Sequence, residues 1–154
     1  MSGPTTTEQD PLSQDVGSKD LTKMPLLPAD RVFRFEIRKP TKTESKSTPG
    51  NFMLNIPCAL VEDQVDVNGE RVNKGFPVFH RIMITPTDKR TVTQIASDVG
   101  RLCQAIGLKG VTVRQVIDDP VAHLDGKLFD AKTTINKEKD GYPESNSLKP
   151  VPLA

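Results

Sequence analysis

The sequence contains no tryptophan, one tyrosine, two histidines and two cysteines, and these scarcities narrow the chemistry it can support. Cys58 and Cys103 form neither a close pair nor a C-x-x-C motif, so they are expected to be buried free thiols. His80 and His123 have no second ligand at a spacing typical of a metal site. The sequence therefore predicts no metal and no cofactor.

Catalytic motifs are also missing. No glycine loop that would cradle a phosphate and no nucleophile elbow occurs. Asp118 and Asp119 are adjacent carboxylates, but Pro120 follows them, which is typical of a turn or of the end of a helix. We therefore expect a binding protein that is not an enzyme.

No apolar run approaches the roughly 20 residues that a membrane span requires, and no segment has the pattern of a signal peptide. The expectation is a cytoplasmic protein.

Charge is distributed unevenly along the chain. Residues 1–30 contain two of the 21 cations and five of the 20 anions, giving a net charge of −3 there and +4 over the remainder. The same 30 residues contain no aromatic side chain and are rich in Ser, Thr, Pro and Asp. Such a composition cannot bury enough apolar surface to fold. We predict a disordered acidic tail over residues 1–30 and one domain over residues 31–154.

Alternating apolar residues predict strands at residues 31–38, 52–61, 76–84 and 127–136, with a short last strand at 146–151. Phe33, Phe35 and Phe129 are expected in the core. Pro57 predicts a bulge or an edge, because proline cannot donate to a ladder. The polar residues 39–50 predict a mobile loop, and Asn68 with Gly69 predicts a hairpin turn.

One amphipathic helix is expected at residues 91–106, because its apolar residues recur at intervals of three and four. Those residues are Val92, Ile95, Val99, Leu102 and Ile106. Thr91 or Asp88 could cap its start, Gly107 suits its end, and a short helix is expected at residues 111–117. A late helix among strands is typical of an α+β fold that is mainly β. We predict a small five-stranded antiparallel barrel of the OB type.

Basic residues lie beside aromatic residues at several points of the predicted strands and loops. Single-stranded nucleic acid is held by cations that contact phosphates and by aromatic rings that stack on bases. The pattern therefore predicts binding to single-stranded nucleic acid, which we expect to be DNA. The predicted contact residues are Arg34, Arg38, Lys39, Lys42, Lys46, Lys74, Phe76, Arg81 and Tyr142.

A different class of function is compatible with the same sequence. A protein–protein interaction or virion-assembly module could pair through an edge strand or its tail, without binding nucleic acid. It would form a defined oligomer or partner complex and would be indifferent to neutralisation of Arg34, Arg38 and Lys42.

Several short motifs carry a resemblance. They lie at residues 75–85, 102–108, 124–129 and 140–142 and at Asn146. Together they resemble a family of small, largely uncharacterised bacteriophage proteins that are encoded near replication and recombination genes. The resemblance implies an OB-like fold that binds single-stranded DNA in phage DNA replication or recombination. The chain departs from many phage single-strand binders in carrying its acidic segment at the N-terminus.

Overall fold

The structure, a computed structural model, describes Leu12, Asp15, residues 25–137 and residues 144–153. The strands of its main antiparallel sheet are β1 (Val32–Ile37), β2 (Thr41–Glu44), β3 (Phe52–Leu60), β6 (Pro77–Met83), β7 (Leu128–Asn136) and β8 (Ser145–Pro150). A separate hairpin joins β4 (Gln64–Val65) to β5 (Arg71–Val72). The helices are α1 (Val92–Ala105), α2 (Val113–Asp118) and α3 (Pro120–Leu124).

Strand pairing runs in the order β6, β3, β1, β7 and β8, while β2 pairs with the same edge of β3 as β1. Within the described residues no ladder joins β6 to β8, so the sheet is not closed into a barrel. The prediction of a mainly β, antiparallel domain is confirmed. The expected closed barrel of five strands is not: the sheet is open and has six strands, and three helices accompany it.

The strand formed by β1 and β2 bends opposite Pro57. Ile37 pairs with Cys58 and Thr41 pairs with Asn55, so residues 38–40 face only two residues of β3. The β1–β2 side therefore has one residue more than β3 at this point, which makes a β-bulge. Within the bulge, Lys39 adopts a positive φ of 49°. The Pro57 carbonyl accepts the Arg38 N–H at 2.9 Å. Pro57 fits here because the regular ladder is interrupted where its missing N–H would have paired.

The predicted mobile loop at residues 39–50 contains strand β2 and a tight turn. All four side chains of β2 are exposed, so no alternation marks it in the sequence, and only backbone pairing with β3 makes it a strand. In the turn, the Ser45 N–H donates to the Asn51 carbonyl at 2.7 Å and the Gly50 N–H donates to Glu44 Oε2 at 2.8 Å. The loop expectation was therefore wrong for Thr41–Glu44, whereas residues 39–40 and 45–50 are irregular or form a turn.

The core lies between the inner face of the sheet and the apolar side of α1. Phe33, Phe35 and Phe129 are buried, as predicted. The α1 residues Ile95, Val99, Leu102 and Ala105 are buried. Val92, in contrast, is 65% exposed, because the apolar side of the first helical turn does not reach the sheet.

The ends of the helices follow the local sequence closely. Thr91 caps α1 through a capping box with Gln94, and Gly107 follows the helix with a φ of 74°. Asp119 ends α2 and caps α3, with Pro120 in the first turn of α3. The prediction of a helix stop at this aspartate pair is therefore confirmed.

Most of the predicted tail, residues 1–30, lies outside the described residues. Its last six residues are described, and they join the domain through Leu27, which is fully buried. Asn146 fixes this residue twice: its Oδ1 accepts the Leu27 N–H at 2.8 Å, and its Nδ2 donates to the Leu27 carbonyl at 3.0 Å.

In the part of the chain that the structure describes, no helix combines the length and the apolar composition needed to cross a bilayer.

Candidate nucleic-acid interface

Strands β3 and β6 present a partly apolar outer surface. Side chains alternate along β6, so Val78 and Ile82 are buried while Phe79 and Arg81 are exposed. The register places each outward residue of β6 opposite an outward residue of β3. We call this surface the Phe79 face, and its members are Met53, Asn55, Pro57, Phe79, Arg81 and Met83.

Phe79 and Arg81 form a preorganised pair on this face. The guanidinium carbon of Arg81 lies 5.2 Å from the centroid of the Phe79 ring, which is 43% exposed. Arg81 Nε donates to Asn55 Oδ1 at 3.2 Å, and no acidic residue in the described chain forms an ion pair with Arg81. The pair therefore combines an exposed aromatic ring with an un-neutralised cation.

A cleft of about 430 Å³ opens between the facing edges of β6 and β8, and it continues from the Phe79 face. One wall comes from Phe76 and β6, and the other comes from the end of β7 and from β8. Phe79 and Arg81 line the cleft as well as the outer face.

The two predicted arginines on and directly after β1, Arg34 and Arg38, each form an ion pair. Arg34 makes a bidentate ion pair with Asp130, at 2.8 and 3.3 Å, which holds the pKa of Asp130 below its usual range. Arg38 Nε lies 3.0 Å from Glu36 Oε1. Both guanidinium groups remain exposed, and each shares its charge with a carboxylate.

The three predicted lysines that follow β1 are exposed but lie in different surroundings. Lys39 occupies the bulge, where its backbone N–H donates to Asp125 Oδ1 at 2.7 Å. The Lys42 ammonium lies 5.6 Å from the centroid of the Phe52 ring. Lys42 and Phe52 line a second groove, of about 380 Å³, against α1 and α2. Lys46 lies in the turn that leads into β3.

The remaining predicted residues are near the start of β6 or outside the described chain. Lys74 is exposed, and its backbone N–H donates to Asp63 Oδ1 at 2.8 Å, which together with Arg71 lowers the pKa of Asp63. Phe76 is half-buried and lines the cleft. Tyr142 lies outside the described residues. The structure thus brings Phe76 and Arg81 together in the lining of one cleft, which Lys74 does not line.

The sequence interpretation missed Phe79, although a signal was present. Arg81 is two residues from Phe79 and therefore shares its side of a strand. An arginine on that side predicts exposure, and the same reasoning had assigned Phe33 and Phe35 to the core opposite Arg34. Applied to β6, it identifies Phe79 as the exposed aromatic residue.

The described residues contain no group of three or more His, Cys, Asp or Glu side chains that could hold a metal ion. Burial raises the pKa of Cys58 to about 12, so its thiol is protonated and unreactive at neutral pH. Burial lowers the pKa of His80, which lines the cleft, so its imidazole is neutral at pH 7.

Alkylation should distinguish the two thiols. The rise in the pKa of Cys58 from 9.0 to about 12 lowers its thiolate fraction roughly a thousandfold at any pH below both values. Iodoacetamide at about pH 8 should therefore modify half-buried Cys103 well before Cys58, as followed by mass spectrometry. In urea both should react at similar rates. Native labelling of Cys58 as fast as in urea would contradict its burial.

Comparison of the chain with protein-family models and with curated proteins finds no match in either.

Proposed function

We propose that this chain binds single-stranded DNA without sequence preference, and that the strand lies across the Phe79 face. The observation that carries the proposal is the exposed Phe79 ring beside the un-neutralised Arg81. Every base has a π-face, so stacking on an exposed ring tolerates any sequence. The adjacent guanidinium supplies a contact for a phosphate or a second stacking surface.

The order of the strands supports an OB-like interpretation of the fold. Five long strands pair as β6, β3, β1, β7 and β8, β1 continues into β2 across a bulge, and α1 falls between the third and fourth long strands. OB folds are five-stranded, partly open Greek-key barrels that bind oligonucleotides on the face of their second and third strands. In this chain those strands are β3 and β6, which carry the Phe79 face. The bacteriophage setting, in replication or recombination, stays a prediction of the sequence resemblance.

Binding should be measured by fluorescence anisotropy with a labelled oligo-dT strand and the matching duplex, at about 50 and 200 mM salt. We expect the single strand to bind more tightly than the duplex, because only unpaired bases can stack on Phe79. We also expect affinity to fall with salt as counterions are released. Absence of binding at low salt, or equal affinity for the duplex, would refute the proposal.

Charge variants should separate the contributing cations. Arg81→Gln and Lys46→Gln should each lower the slope of log affinity against log salt by about one phosphate contact. Lys109→Gln is the matched control, because Lys109 is exposed in the segment after α1, away from the Phe79 face. Equal slopes in all three variants would exclude Arg81 and Lys46 as phosphate contacts.

Among the described residues no strand pairs with the outer edges of β6 and β8, which favours a second candidate, a protein–protein module that assembles by strand addition. It predicts a defined oligomer that forms without nucleic acid and is insensitive to Arg81→Gln. Size-exclusion chromatography with light scattering, combined with Arg81→Gln, distinguishes the two functions, since only the complex of the single-strand binder should be weakened by that substitution.

A further inference from the structure

The cleft between β6 and β8, here called the β6–β8 cleft, has a composition that differs from that of a phosphate site. Its residues are Pro25, Phe76, Pro77, Val78, Phe79, His80, Arg81, Asn136, Glu144, Ser145, Asn146, Ser147 and Leu148. Its lining contains one cation, Arg81, and one anion, Glu144, which form no ion pair with each other, and the remaining side chains are apolar or neutral. A cleft without excess positive charge is better suited to an uncharged ligand than to a phosphate group.

Three polar groups in the cleft have no side-chain partner among the described residues. They are the His80 imidazole, the Ser145 hydroxyl and the Asn136 carbonyl oxygen, whose own amide nitrogen donates to Ser147 Oγ. The His80 imidazole is half-buried, and a donor or acceptor in such surroundings is normally satisfied by a ligand or by water. Ser145 and Asn136 are exposed and add polar groups to the lining of the cleft. Phe76 and Phe79 supply aromatic surface beside them.

We infer that the β6–β8 cleft binds one unstacked nucleobase of the bound strand. A nucleobase is planar, uncharged and aromatic, and its edge carries hydrogen-bond donors and acceptors, as the walls of the cleft require. The cleft volume of about 430 Å³ falls within the range of small-molecule sites. Phe79 belongs to both the cleft and the Phe79 face, so a strand on that face passes the mouth of the cleft. The inference rests on the proposed function, because the base in the cleft belongs to the single strand that the chain is proposed to bind.

A nucleoside tests the cleft separately from the phosphate backbone. The ¹⁵N-labelled full chain is titrated with deoxyadenosine and with thymidine, and inorganic phosphate is titrated in parallel. We expect saturable shifts of the amide signals of residues 76–81 and 145–148 with the nucleosides and none with phosphate. Shifts in these segments with phosphate alone, or no shift with either nucleoside, would overturn the inference.

A variant that fills the mouth of the cleft provides the second measurement. Ser145 is exposed and makes no side-chain hydrogen bond in the described structure, so Ser145→Phe should leave the fold intact while occupying the cleft. It should abolish the nucleoside shifts and weaken oligo-dT binding at least about fivefold, the lower end of the loss of one stacked base. Ser97→Phe, at an exposed serine of α1, is the matched control and should change neither.

The outcomes separate the inference from the proposed function. Tight oligo-dT binding by Ser145→Phe, equal to that of the unmodified chain, would overturn the inference and leave the proposed function standing. Nucleoside shifts in the cleft without any oligo-dT binding would support the cleft as a base site and refute the proposed function. The free nucleoside would then be the source of the base.

Discussion

Replacement of Phe35 by alanine is expected to lower the free energy of unfolding by about 3–5 kcal/mol. Phe35 is fully buried at the centre of β1, where it pairs with Leu60 of β3 and Phe129 of β7. Its ring centroid lies 6.1 Å from that of Phe129. The variant would lose the transfer free energy of the ring, and the surrounding strands cannot collapse into the cavity because their ladders fix their spacing.

The effect should be measured by urea unfolding followed by far-ultraviolet circular dichroism, since the chain has no tryptophan to report tertiary structure. Phe79→Ala is the control for the same chemical change on the surface, and its effect should stay within about 0.5 kcal/mol. A loss of less than about 1 kcal/mol in Phe35→Ala would show that β1 is not the centre of the core. Most small domains are stable by only about 5–15 kcal/mol, so this single ring accounts for a large share.

The regular elements were predictable because the spacing of their apolar residues shows which side of each element is buried. Alternation marks β1, β3, β6 and β7, and the three-four spacing marks α1, since one side of each element faces the core. The capping box at Thr91 and the left-handed Gly107 are equally local, because they satisfy backbone groups within a few residues of the chain.

Features that depend on distant partners were not predictable in this way. β2 is a strand only because β3 offers a free edge, and its own side chains are all exposed. Leu27 lies in a short apolar stretch at the end of the predicted tail, and its backbone is bonded by Asn146, which is 119 residues away. Whether β6 and β8 meet depends on the curvature of the whole sheet, which no single strand encodes.

The sequence also did not predict which cations of the candidate site have a carboxylate partner. Counting cations selected Arg34 and Arg38, but their carboxylate partners are set by cross-strand register in one case and by a neighbour two residues away in the other. A sequence gives the number of charges, whereas the structure determines which of them remain un-neutralised. We therefore assign the proposed phosphate contact to Arg81, because the acceptor of its Nε is the neutral amide of Asn55.

Phe79→Ala should therefore weaken binding to oligo-dT by about 1–3 kcal/mol, the loss of one base stacked on an aromatic ring, which is a fall in affinity of roughly 5- to 150-fold. The chain offers a close control in Phe52, which is 37% exposed compared with 43% for Phe79. A cation also lies over each ring: Lys42 at 5.6 Å from Phe52 and Arg81 at 5.2 Å from Phe79.

Phe52→Ala removes an equally large exposed ring with an adjacent cation, but from the groove beside α1 and α2. If the strand lies across the Phe79 face, Phe52→Ala should change the affinity less than about twofold while Phe79→Ala produces the full loss. Anisotropy titrations at a single low salt concentration are sufficient, with circular dichroism to verify that both variants are folded. Equal losses in the two variants would mean that exposed rings contribute regardless of position, and a larger loss in Phe52→Ala would move the binding surface to the groove lined by Lys42. Both results would refute the assignment to β6, because the two variants differ chiefly in which side of the molecule loses its ring.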